Sequence, residues 1–144
     1  MKKYTYFILL YIIFGFFTGA IAGEKAKIDN RISLNLTASE KNEFLSEMRQ
    51  MLVSIQGIVS GIGDKDRELI IRYARYSGNR MARSTPKSIR EKLPQSFKEI
   101  GGPTHMMFEE LAIRAETDDM DMLTIQTGKL MKKCVSCHAI FKTD

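Results

Sequence analysis

The sequence predicts an all-α domain, and three observations carry that expectation. Apolar residues recur at spacings of three and four along most of the chain after residue 37, the period of helices that bury one face. Helix-start signals precede these stripes at Thr37-Ala38-Ser39-Glu40, Thr85-Pro86 and Asp118-Asp119. Tryptophan is absent and no Asn-Gly or Asp-Gly dipeptide occurs, which weighs against an all-β fold.

The N-terminus comes first and reads as an export signal. Lys2 and Lys3 precede an almost unbroken apolar run from Tyr4 to Phe17, and Ala20-Ile21-Ala22 fits an A-x-A cleavage site. Residues 1–22 are therefore expected to be a signal peptide, with a mature chain starting at Gly23 in the periplasm. The competing reading is an uncleaved membrane anchor; the apolar stretch is short for a span, so no stable membrane insertion is expected after cleavage. The formal charge of +5 falls to +3 when Lys2 and Lys3 leave. That mild basicity favours acidic partners. No basic run interleaved with aromatics occurs, so nucleic acid is not expected.

Residues 23–36 read as an irregular leader, and 37–144 as one helical domain of a size that supports a single core. The capping box at Thr37 opens a helix with the stripe Phe44, Leu45, Met48, Met51, Leu52, Ile55, Ile58, Val59 and Ile62. Gly57 and Gly61 are either points of close helix approach or tolerated glycines near the end, which falls at Gly61-Ile62-Gly63-Asp64. A second helix starts near Asp64 or Asp66 and turns Leu69, Ile70, Tyr73 and Ala74 inward, leaving Arg67, Arg72, Arg75, Arg80 and Arg83 as a solvated basic side. Gly78 is its expected C-cap, with Met81 and Ala82 continuing the spacing for another turn.

Thr85-Pro86 is expected to supply N-cap and N1 of a short helix that stops at Leu93-Pro94. Residues 94–102, with Phe97 and Ile100, read as a connecting segment and as the rim of a cofactor pocket. Gly102-Pro103-Thr104 is expected to open the third long helix, with His105 in its first turn and Met107, Phe108, Leu111, Ala112 and Ala115 inside. Glu109, Glu110 and Glu116 read as its solvated face. Asp118 or Asp119 caps the last helix, whose core face carries Met122, Leu123, Leu130 and Met131. Gly128 offers a place for a close neighbour, and Lys129, Lys132, Lys133 and Lys142 make the outer side basic.

That last helix holds the most informative stretch, Cys134-Val135-Ser136-Cys137-His138. Two cysteines three apart followed by histidine form the attachment signature for c-type haem. Each thiol adds to one porphyrin vinyl group, and the imidazole reaches the iron from one face. Positions i, i+3 and i+4 share a helix side, so all three meet one flat cofactor. These are the only cysteines, so a disulfide framework or an all-cysteine zinc site is excluded. A redox dithiol or a simple disulfide beside a histidine is the alternative. His105, the other histidine, reads as exposed or structurally hydrogen-bonded, with a second haem ligand as its alternative.

Amphipathic helices with a haem motif at the extreme C-terminus make the mature chain resemble the class II c-type cytochromes, the cytochrome c′ family. Class I cytochromes c carry the motif near the N-terminus. Phe141 and Lys142, three and four residues after the histidine, also look like that family's ending. The family commonly has arginine near the latter position, so the role of a guanidinium there does not carry over to lysine. The resemblance implies a left-handed antiparallel four-helix bundle with one haem c per chain at one end. It also implies that a first-helix residue meets the distal face of the iron: an apolar one in high-spin members, methionine in low-spin ones. Counting back from Gly63 favours Met48 as that ligand, with Met51 the fallback; core packing is the plainer role for either.

Three functions follow from these residues. A periplasmic electron carrier, not an enzyme, needs His138 and Met48 as axial ligands and redox proteins as partners. A five-coordinate binder of small gaseous ligands needs both methionines away from the iron. A thiol–disulfide oxidoreductase needs its cysteines at a helix N-terminus, which the placement of Cys134 and Cys137 disfavours. Whether the chain forms a homodimer through its first two helices is left open.

Overall fold

The capping box at Thr37 forms as the sequence predicts. In the computed structural model, which describes residues 28–144, the Thr37 hydroxyl accepts the Glu40 N–H and the Glu40 carboxylate accepts the Thr37 N–H at 2.9 Å. The expected signal peptide, residues 1–22, and the first part of the leader lie outside the described residues. No helix among the described residues is long and apolar enough to cross a membrane.

Over Arg31–Asp144 the fold is all-α apart from one minimal strand pair. Helix α1 (Ala38–Asp64) ends where Lys65 adopts a left-handed conformation, φ 58°. Helix α2 (Arg67–Tyr76) is capped by Asp66, whose side chain accepts the Leu69 N–H at 2.9 Å. Two short helices follow, α3 (Asn79–Ser84) and α4 (Lys87–Lys92). Helix α5 (Gln95–Arg114) and helix α6 (Met120–Ile140) complete the set, the latter capped by Asp119. The four longest helices touch in a cycle: α1 with α2, α2 with α5, α5 with α6, and α6 with α1.

One apolar cluster fills the interior of that cycle, with Ile58, Ile70, Phe108, Leu123 and Leu130 wholly buried. A second cluster joins Leu34, Phe44, Ile89, Leu93, Phe97 and Phe141, and Met48 packs against both. Glycine makes the α1–α2 contact close. A Cβ at Gly57 would fall on the Tyr73 ring, and one at Gly61 would lie 2.7 Å from Ile70.

Several expectations are corrected. Residues 94–102 are not a connection, and Gly102-Pro103 does not open a helix. Pro94 is the N-cap, and α5 runs from Gln95 through Pro103, which puts His105 well inside it. Phe97 and Ile100 supply the reason, because packing them against Phe44 and Phe141 needs helical backbone there. Tertiary burial outweighs local helix-breaking chemistry. Thr104 donates to the Ile100 carbonyl at 2.8 Å beside the proline.

The leader is not wholly irregular. Strand β1 (Ile32–Ser33) pairs in parallel with β2 (Phe141–Lys142), and Leu34 is buried behind it. The expected core row on α1 is too wide: Leu52 is 69% and Val59 52% exposed. Both lie one residue past the buried Met51 and Ile58, about 100° further round the helix. On α6, Met122 and Met131 are likewise exposed, beside the buried Leu123 and Leu130.

Smaller shifts concern caps. Ser77, not Gly78, caps α2, while Gly78 is the N-cap of α3. Pro86 rather than Thr85 caps α4. Nothing lies within 4 Å of where a Cβ on Gly128 would be, so it admits no close neighbour. Two charged residues also leave the solvated faces assigned to them. Glu109 accepts the Asn79 N–H at 3.2 Å at the start of α3, and Arg67 donates to the Ala115 carbonyl at 2.7 Å.

Candidate functional site

The haem motif falls in the last two turns of α6, where helix spacing turns Cys134, Cys137 and His138 to one side. They line a cavity of about 520 Å³ together with Met48 and Met51 of α1. All five candidate residues therefore meet at one place, although 82 or more positions separate the α1 pair from the α6 trio. The walls are largely apolar: Phe44, Leu52 and Ile55 from α1, Leu93 after α4, and Phe97 from α5.

The two cysteines are free thiols, each half-buried. Cys137 packs against the Phe44–Phe97–Phe141 cluster, and the Cys134 Sγ approaches the Leu130 carbonyl at 3.7 Å. Burial pushes both thiols above their ordinary range, and at Cys137 the charge of Cys134 adds to it. His138 is exposed on its helix. Its backbone carbonyl accepts from Arg31 Nη1 at 3.2 Å, so the segment before β1 reaches the motif directly.

The methionines differ in setting. Met51 is 8% exposed and belongs to the main core, whereas Met48 is half-buried between the two clusters. Both methionines line the cavity, and Met48 is the more exposed of the two. Phe44, one turn earlier, is held by Phe97 with ring centroids 5.7 Å apart.

Polar groups at the cavity are few. Glu47 is half-buried, and burial raises its carboxyl above the ordinary value while a hydrogen bond from Thr85 at 3.3 Å pulls the other way. His105 Nδ1 lies 2.7 Å from the Ser77 carbonyl. A carbonyl only accepts, so Nδ1 carries a proton and donates it; in the neutral ring Nε2 then keeps its lone pair. Burial lowers the pKa of this imidazole. Arg49, Arg90, Lys98 and Lys133 bring positive charge to the cavity's edge.

A cavity of this size lies within the range of small-molecule and cofactor sites. Its apolar walls, with two thiols and an imidazole on one helix, suit a flat apolar macrocycle. Among the described residues no group of three His, Cys, Asp or Glu is placed to hold a metal ion. The expected residue set thus fits haem c.

Sequence reasoning placed the trio, both methionines and the Phe97 rim. It missed Glu47, Leu93, Thr85 and Arg31. Only Leu93 left a signal, as the apolar residue at the end of a short helix; the others are polar residues whose neighbours are remote in sequence. No protein-family model matches this chain, and neither a curated protein nor a solved structure matches it.

Proposed function

We propose that this chain is a class II c-type cytochrome, an exported electron carrier built as an antiparallel four-helix bundle. One observation carries the proposal: the Cys-x-x-Cys-His residues of α6 and the Met48–Met51 pair of α1 line a single apolar cavity of about 520 Å³. The cyclic contacts of α1, α2, α5 and α6 support the bundle.

In this reading Cys134 and Cys137 would hold haem c covalently, each thiol through one thioether link to the macrocycle. His138 would hold the iron through its imidazole, and Met48 would hold it through its thioether. When bound, haem c supplies a centre that takes up and returns one electron. Phe44, Leu52 and Phe97 keep water from its faces. A thioether ligand favours ferrous iron, which suits a carrier serving redox partner proteins in the periplasm. The thiol–disulfide alternative is weakened by position, since both cysteines lie near the C-terminal end of α6, where the helix dipole does not favour a thiolate.

Retention of haem by denatured protein tests the proposal. Protein matured in the periplasm with haem supplied should keep its colour on a denaturing gel and through acid–acetone extraction. Cys134→Ser combined with Cys137→Ser should release it. Colourless protein with two titratable thiols would sink the haem reading and promote the dithiol one.

A further inference from the structure

We propose that the arginine-lined hollow between α2, α3 and α5 binds a small phosphate-type polyanion. The chain places arginines three apart on each of two consecutive helices, Arg72 and Arg75 on α2, then Arg80 and Arg83 on α3. The tight Ser77-Gly78 connection folds the two rows around one hollow of about 470 Å³, which Tyr76 and Glu109 complete.

Charge in this hollow is unbalanced. Glu109 is the one carboxylate lining it, and it is already engaged with the Asn79 N–H and with Arg75 at 3.6 Å. Among the described residues Arg72, Arg80 and Arg83 have no carboxylate partner. Arg75 also reaches Glu116 at 3.8 Å, so four guanidiniums against two carboxylates leave an excess of two positive charges. Gathering like charges costs free energy that a bound polyanion would offset.

The shape selects among anions. Guanidinium forks pair two oxygens at a time, and four arginines from two consecutive helices outnumber the oxygens of a single carboxylate. A pyrophosphate-like group offers enough oxygens for several forks, with the Tyr76 hydroxyl as a further donor. The hollow shares no lining residue with the haem cavity: Ala82 and Thr85 line the cavity, Arg80 and Arg83 the hollow. The proposal thus stands or falls separately from the haem reading.

The test is calorimetric and NMR titration of the full mature protein, as purified, with inorganic pyrophosphate at constant ionic strength. Saturable one-to-one binding is expected, with shifts confined to residues 72–83 and 109. Arg80→Gln with Arg83→Gln should weaken it by about tenfold or more, with circular dichroism unchanged because both side chains are exposed. Lys129→Gln with Lys132→Gln removes the same charge from the outer side of α6 and should leave affinity within about twofold at that ionic strength. Equal weakening by both pairs would overturn the site in favour of diffuse charge, and so would an absence of saturation. Vesicles containing phosphatidic acid separate the sources of phosphate. Binding to them that pyrophosphate does not displace would overturn a soluble ligand in favour of a lipid headgroup.

Discussion

Phe141 meets Phe97 edge-on, with ring centroids 5.3 Å apart and planes at 73°. This contact joins the residue after α6 to the turn of α5 that sequence alone reads as a connection. It also fixes β2, whose pairing with β1 ties the chain before α1 to the end of α6. Edge-to-face rings add a favourable electrostatic term to burial. Phe141→Ala should therefore destabilise the fold by about 3–5 kcal/mol, read by urea unfolding. A loss under about 1 kcal/mol would mean that the strand pair holds without the ring.

Gly57 offers a sharper test of packing. Alanine is the better helix former by about 1 kcal/mol, so propensity alone predicts stabilisation. The Tyr73 ring occupies the place of the new methyl. Gly57→Ala should instead destabilise by about 1–3 kcal/mol, and Gly63→Ala, with open space around it, should not. A raised melting temperature for Gly57→Ala would refute the close α1–α2 contact.

Glu40 gives a pH-dependent prediction. Lys92 Nζ at 2.6 Å and the Thr37 N–H and hydroxyl hold its carboxyl down, from 4.5 to about 2. A depressed carboxyl contributes stability above its unfolded value and loses it as pH falls through its folded one. Glu40→Gln should thus be less stable than the parent at pH 7. The gap should close as pH falls from 4.5 toward about 2. The site is exposed to salt, so the gap should also shrink at high ionic strength. A gap independent of pH would point to lost helix capping alone.

Met48 decides between carrier and ligand binder. With thioether ligation the ferric protein should show a weak near-infrared band, and the ferrous protein should bind carbon monoxide slowly or not at all. Met48→Leu should abolish the band, shift the iron toward high spin and open the site. If Met51→Leu does this instead, the ligand lies one turn further along α1 and the carrier function stands. Ready carbon monoxide binding by the unmutated protein would replace the carrier with a five-coordinate binder of small gaseous ligands.

Export is checked at the N-terminus. Sequencing of periplasmic protein should begin at Gly23 or a neighbour, whereas Met1 or Lys2 on membrane-bound protein would establish an anchored form.

By itself the sequence determined the all-α class, the capping of α1 at Thr37 and the common face of Cys134, Cys137 and His138. Those features arise from interactions spanning three or four residues, whose partners are set by helix geometry. It also put Met48 and Met51 on one apolar stripe of α1. The tertiary structure decided what depends on distant partners. The course of α5 through Gly101, Gly102 and Pro103 was hidden because local chemistry there argues against helix, and burial of Phe97 against Phe44 and Phe141 outweighs it. The β1–β2 pair was hidden because two residues carry no period, so only its partner 109 positions away makes it visible. The same holds on α1, where Leu52 and Met51 are equally apolar but only the neighbours packed against the helix leave one exposed and bury the other.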